Sequence, residues 1–195
     1  MQVNVQKIFG KWDIGYSLDK HTVSSSIFTG NNEYGHPMFD TTRTEVGEAL
    51  YQLKYKSDLS KVTILAKQIV DSLGNHFQSV SFIIPMPPSK HRIPQPVKEI
   101  AKQVAVMMNK PYNDNLLVKT SSTDQVKNIP SKEARIKILC SAFKVNDILA
   151  DGKYNVLIVD DLCDTGSSLE AATVMLKQYT KINKIFVVAV TRKNS

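Results

Sequence analysis

The stretch VLIVDDLCDTGSSL, residues 156–169, decides the fold. Val156–Val159 form an unbroken apolar run, the pattern of a strand buried on both faces. Asp160 and Asp161 stand at its carboxyl end, a tight turn follows over Leu162–Gly166, and a helix opens at Ser167. In an open α/β sheet that edge is where ligands bind. A helix N-terminus presents unpaired N–H groups and a partial positive charge. Gly166 lets the backbone come close to an anion, and Thr165, Ser167 and Ser168 add hydroxyl donors. Asp164 or Thr165 is placed to cap the helix. The pattern predicts a cradle for a phosphate monoester. The two carboxylates would accept hydrogen bonds from sugar hydroxyls and lie close to a magnesium ion held by a pyrophosphate. No Lys follows the glycine, so this is not the GxxxxGK[ST] loop, and it is not GxGxxG either.

Working outward, NVLIVDD (155–161) and KIFVVAVT (184–191) read as apolar strands, with a helix over Ser167–Tyr179 between them. SVSFIIPM (79–86) is a third apolar run, followed by a helix from about Gln95 to Met108 and a strand at LLVKT (116–120). Lys132–Ile138 predicts a short helix and AFKV (142–145) a short strand. Helical spacing marks Thr44–Lys54, through Val46, Ala49, Leu50 and Leu53, and Leu59–Leu73, capped by Asp58 or Ser60. Strands apolar on both faces and alternating with helices imply a mostly parallel sheet covered on both sides. The first 43 or so residues differ. DIGYSL (13–18) and TVSSSIF (22–28) read as a hairpin across DKH, followed by turn-rich GNNEYGHP (30–37) and FDTT (39–42). The expected division is a β-rich flap over 1–43 and an α/β core with two leading helices over 44–195.

The chain of 195 residues has ordinary globular composition, 42% hydrophobic and 22% charged. No run of about 18 apolar residues predicts a membrane span, and MQVNVQKIFGKWD lacks the apolar stretch of a secretory signal. Cys140 and Cys163 lack metal-ligand spacing and suit free thiols in a reducing cytoplasm. His21, His36, His76 and His91 are scattered, which argues against a zinc site. The net charge of +7 favours polyanions, whether a phosphorylated metabolite or nucleic acid.

The segment from Val156 to Ser168 resembles the phosphoribosyl pyrophosphate motif of type I phosphoribosyltransferases, with Asp164 and Ser168 standing where Thr is common. FIIPMPPSKHR (82–92) resembles the strand and pyrophosphate loop of that fold, which makes Ser89, Lys90 and Arg92 the matching candidates. TDQVKNIPSKEARIKILCSAFKV (123–145) is similar to a segment of the competence protein F-like branch, with Gln125, Ile129, Glu133, Arg135, Lys137, Ala142 and Phe143 in register and Ile138 where Asn is usual. ALYQLKYKSD (49–58) matches the branch's leading segment at Lys54 and Tyr55. The branch's cysteine-rich zinc segment has no counterpart over Val3–Phe39, so its role is not carried over.

The resemblance implies a type I phosphoribosyltransferase fold, a mostly parallel sheet flanked by helices with a small β-rich N-terminal hood. It implies magnesium-dependent displacement of pyrophosphate from 5-phosphoribosyl-1-pyrophosphate by an acceptor, expected to be a nitrogenous base of unspecified identity. Asp164–Ser168 would anchor the 5-phosphate, Asp160 and Asp161 the ribose, and Ser89, Lys90, Arg92 and Lys54 the pyrophosphate. Asp161 matches the acid that serves as general base in some relatives. Lys119, Lys127 and Arg135, on or beside the polar stretch 119–131, would bring charge over the leaving group as a lid. Trp12, Tyr16, Phe28 and Tyr34 are candidates for stacking on a base, though aromatics in a small β unit more often form its core. A donor-sensing or nucleic-acid-associated regulator on the same fold is the competing reading, and a homodimer stays open. A flavodoxin- or receiver-like domain fits the strand pattern, but the isolated acceptor Asp that a receiver needs is not found.

Overall fold

The computed structural model describes residues 1–23, 27–31, 34, 37–40, 42–89, 92–121, 126 and 128–193. Its centre is β8 (Tyr154–Cys163), flanked by β9 (Ile182–Arg192) and β5 (Phe82–Pro85), both parallel to it. β2 (Ile14–Lys20) pairs parallel with the far side of β9, and β1 (Gln6–Lys7) adds an antiparallel edge. The sheet order is β1-β2-β9-β8-β5. β3 (Ile27–Asn31) pairs with β4 (Pro37–Asp40), and β6 (Leu117–Lys119) with β7 (Phe143–Val145), as separate two-stranded ribbons.

The apolar run in β8 is divided between two cores by the alternation of a strand. Leu157 and Val159 face one side, with Phe186, Val188 and Val190 of β9. There they pack on α1 (Glu45–Tyr55), α2 (Ser60–Leu73) and α3 (Pro96–Met107). Val156 and Ile158 face the other side, with Ile185 and Val187, against α4 (Lys132–Ala142) and α5 (Ser167–Lys177). Thr44 caps α1: its hydroxyl accepts from Gly47 N–H at 3.0 Å and donates to the Lys20 carbonyl at 2.7 Å. At α2, Asp58 Oδ1 accepts from the Ser60 N–H at 3.1 Å. Gly47 lies so close to β2 that a Cβ there would stand 2.1 Å from the His21 carbonyl oxygen.

The expected hairpin of 13–18 with 22–28 is not what forms. β2 lies between β1 and β9, so the first strands complete the main sheet rather than a flap. The polar residues of this strand are satisfied inside. Ser17 is fully buried and accepts from Arg192 Nη1 at 3.0 Å, and buried Asp19 accepts from the Lys20 N–H. α4 also runs four residues beyond the expected Ile138, to Ala142.

Because β2, β5, β8 and β9 are parallel, their carboxyl ends share one edge. The loop after β5, the turn after β8 and the C-terminal half of α1 therefore meet there. Leu157 is fully buried, and Leu157→Ala should cost about 2–5 kcal/mol. Urea unfolding should show a lower midpoint with an unchanged slope.

Candidate functional site

A cleft of about 340 Å³ opens at that edge. Its walls include Lys54 from α1, Ser89 and Arg92 from the loop after β5, Lys119 from β6 and Arg135 from α4. Asp160, Asp161, Asp164, Thr165, Ser167 and Ser168 line it as well. Gly166 lies in an adjoining cup of about 80 Å³ formed by residues 160 and 162–169. The structure thus brings the acids, the turn residues, Ser89 and the described cationic candidates into one place; Lys90, Gln125 and Lys127 lie outside the described residues.

The turn leaves its backbone open to close approach. β8 continues through the acids to Cys163, so the turn proper is Asp164–Gly166. Gly166 takes φ +75°, a left-handed conformation that glycine adopts without penalty, and α5 begins directly after it. No side chain caps α5, and the Thr165 and Ser167 hydroxyls bond each other at 2.9 Å. The Ser167 N–H reaches Thr165 Oγ1 at 3.5 Å, and the partial positive end of α5 lies at the cup, with Glu170 of its first turn paired to Lys132. Trp12 packs beneath. Its indole N–H donates to the Ile8 carbonyl at 3.0 Å, and its ring would lie 3.6 Å from a Cβ at 166. Asp164 does not cap the helix. It pairs with Lys193 at 2.7 Å, which leaves the turn to the backbone.

The two acids differ. Asp161 is ion-paired with Lys54 Nζ at 2.6 Å. Burial, and then the neighbouring Asp161 charge, pushes the Asp160 carboxyl up to about 8, although it accepts from the Asp161 N–H at 2.8 Å. Behind them, Thr191 Oγ1 donates to the Asp161 carbonyl at 3.1 Å and lies 3.2 Å from His21 Nδ1. Burial, with Arg43 and Lys54 next, lowers the His21 pKa. Burial, with Asp160 next, pushes the Cys163 thiol up to about 11, which keeps it neutral. No group of three His, Cys, Asp or Glu side chains among the described residues could hold a metal ion. A strand-end pair of carboxylates does suit magnesium that arrives on a phosphate ligand, since this ion keeps waters and takes one or two carboxylates.

The cations sit around the acids. Arg92 places its guanidinium 5.1 Å from the Tyr55 ring centre, and the Arg135 Nε is buried with no hydrogen-bond partner among the described residues. Two of the aromatic candidates are not at the site surface. Trp12 is 6% exposed in the core, and Tyr16 stacks on His76 with ring centres 4.4 Å apart. The Phe28 side chain lies outside the description. Sequence reasoning gave no chemical role to Tyr55, nor to the apolar wall of Met86, Val126, Leu139 and Phe143. The L-K-Y match was the one signal pointing to Tyr55.

No family model matches the sequence, and no curated protein matches it. Solved structures do share the fold. Adenine phosphoribosyltransferase from Leishmania tarentolae superposes with a TM-score of 0.50 at 7% identity, covering 97% of this chain and 94% of that one. Adenine phosphoribosyltransferase from Trypanosoma brucei, determined with AMP, pyrophosphate and ribose-5-phosphate, gives 0.50 at 13% identity over 98% of this chain and 76% of that one. UMP synthase from Leishmania donovani gives 0.41 at 15% identity, and the chain spans 28% of its length. The chain has the α/β fold of the phosphoribosyltransferases.

Gly166→Ala tests the turn. The added methyl meets ordinary contacts at 3.6 and 3.9 Å, so the penalty is conformational. It should cost about 1–2 kcal/mol, read by thermal unfolding, and should weaken phosphate binding.

Proposed function

We propose that this protein is a phosphoribosyltransferase that binds 5-phosphoribosyl-1-pyrophosphate with magnesium and transfers the phosphoribosyl group to a nitrogenous acceptor. The observation that carries the reading is the meeting, in one cleft, of an uncapped helix N-terminus behind Gly166 with the Asp160–Asp161 pair and with Lys54 and Arg92. Each part answers a requirement of the donor. The cup over Asp164–Ser168 takes the 5-phosphate on backbone N–H groups and hydroxyls. The acids take the ribose hydroxyls. Lys54 and Arg92 take the pyrophosphate, the arginine through paired N–H donors. Ser89 lines the cleft from the loop that carries Arg92, Lys90 follows it in the sequence, and Lys119 and Arg135 add positive charge to the lining.

Magnesium bound with the donor would neutralise charge that builds on the departing pyrophosphate. Carboxylates beside the ribose would stabilise positive charge at the anomeric carbon. Asp160 is better matched than Asp161 to exchange a proton with the acceptor. Its pKa lies near neutrality, whereas Asp161 is held by Lys54. The register of Glu133, Arg135, Lys137, Ala142 and Phe143, and the Lys54–Tyr55 match, support a place in the competence protein F-like branch. Ile138, which replaces that branch's usual Asn, is 42% exposed on α4.

One observation favours a second reading, a sensor of the donor without turnover. With Asp161 paired and Asp160 largely protonated at neutral pH, neither acid is a free carboxylate base in this state. Calorimetry with the donor and magnesium, followed by a screen of free bases for pyrophosphate release, separates the two. Release with some base identifies the enzyme, and tight binding without release identifies the sensor. The Asp160→Asn/Asp161→Asn double variant should abolish release, and undiminished release would overturn the assignment of the acids.

The Asp160 titration gives a pH test. Ribose hydroxyls donate to the ionised carboxylate, so binding favours a form that is scarce below about pH 8. Donor affinity should therefore rise with pH from 6 to 8, at most about tenfold per unit, and then level off. Ionisation of the donor's own phosphates is common to wild type and Asp160→Asn. The slope attributable to Asp160 should disappear in that variant.

A further inference from the structure

The geometry points to Tyr55 as the surface on which the acceptor stacks, and hence to a planar aromatic ring as the acceptor's chemistry. This rests on the phosphoribosyl reading above. The aromatic side chains lining the cleft, among the described residues, are Tyr55 and Phe143. Phe143 is 5% exposed and belongs to the core under α4, whereas Tyr55 is 60% exposed. Trp12 and Tyr16 are committed to packing, and neither lines the cleft.

Tyr55 is also held in place. The inward face of α1 is spent on Val46, Ala49, Leu50 and Leu53. Tyr51 and Tyr55 stand one turn apart on another face, with ring centres 5.1 Å apart and planes tilted by 31°. Arg43 lies 3.9 Å over the Tyr51 ring and contacts Glu48 at 3.4 Å, which fixes the pair from behind. Arg92 covers Tyr55 from the cleft side at 5.1 Å. The result is an ordered ladder, Arg43–Tyr51–Tyr55–Arg92, ending at the cleft.

Its end is in the right place. Lys54, the residue before Tyr55, reaches Asp161 at 2.6 Å, and Tyr55 lines the same cleft as both acids. Arg92 is the natural partner of a diphosphate. When it turns to that anion, it uncovers the face of Tyr55 for the incoming ring. Stacking on an aromatic face tolerates any base, because every base has a π-face. The ladder therefore defines a chemical class, and polar groups elsewhere would choose among its members.

The test compares ribose 5-phosphate with AMP and UMP, each titrated by calorimetry in the presence of magnesium pyrophosphate. The nucleotides add a ring to the same phosphate and sugar. Wild type should bind at least one nucleotide about tenfold more tightly than ribose 5-phosphate, a ratio at the low end of base–aromatic stacking. Tyr55→Leu should bring that nucleotide to parity with ribose 5-phosphate, and Tyr55→Phe should keep the preference. Ribose 5-phosphate affinity should be the same in all three proteins. Nucleotides that bind no better than ribose 5-phosphate in wild type, or a preference that survives Tyr55→Leu, would overturn the platform and leave the phosphoribosyl reading standing. Failure of ribose 5-phosphate to bind wild type would instead overturn the phosphoribosyl reading.

Discussion

The rest of the structure depends on the pairing of β8 between two parallel neighbours. A strand paired on both sides has its backbone groups satisfied within the sheet, so its side chains can all be apolar and still divide between two cores. Leu157 and Val159 hold three helices on one face, while Val156 and Ile158 hold two on the other. The pairing with β9 extends to Cys163↔Arg192, past the acids. Asp160 and Asp161 are therefore held by a ladder rather than by a loop. Their carboxylates stand at a fixed distance from the N-terminus of α5, which is the condition for one ligand to touch both.

That rigidity sets the electrostatics. Two adjacent carboxylates at a partly buried edge repel each other, and the protein resolves this unevenly. Lys54 takes Asp161, while burial and the neighbouring charge keep Asp160 protonated well above the usual carboxylate range. The same logic explains the pairing of Asp164 with Lys193. Asp164 stays in the lining of the cleft, but its charge is matched by Lys193.

Much of this was legible from residues 156–169, because a long apolar run, an acid pair and a TGSS turn each have one economical structural meaning. The helices of the core were also readable from spacing, within a turn at α4. The misreading of β2 has a physical cause. Its Gly15, Ser17 and Asp19 look like those of an exposed hairpin, but their polar groups are satisfied by Arg192 and by local backbone, partners remote or invisible in a pattern. Trp12 followed the commoner fate of an aromatic in a small β unit and is core: it lies beneath the turn at Gly166, where Gly10 and Gly15 make room for its ring. The Lys54–Asp161 pair and the tyrosine ladder need distances that spacing alone does not supply.

The neighbourhood of β2 and β9 has a consequence for how the chain is made. His21 and Thr191, which meet across these strands, are 170 residues apart along the chain. β2 finds β1 close by in the chain, but its other partner, β9, comes only after the intervening core. Contacts this distant in sequence carry a large loop-closure cost and slow folding. The β1–β2 pair joins the rest of the main sheet only through β9, and so only across that separation.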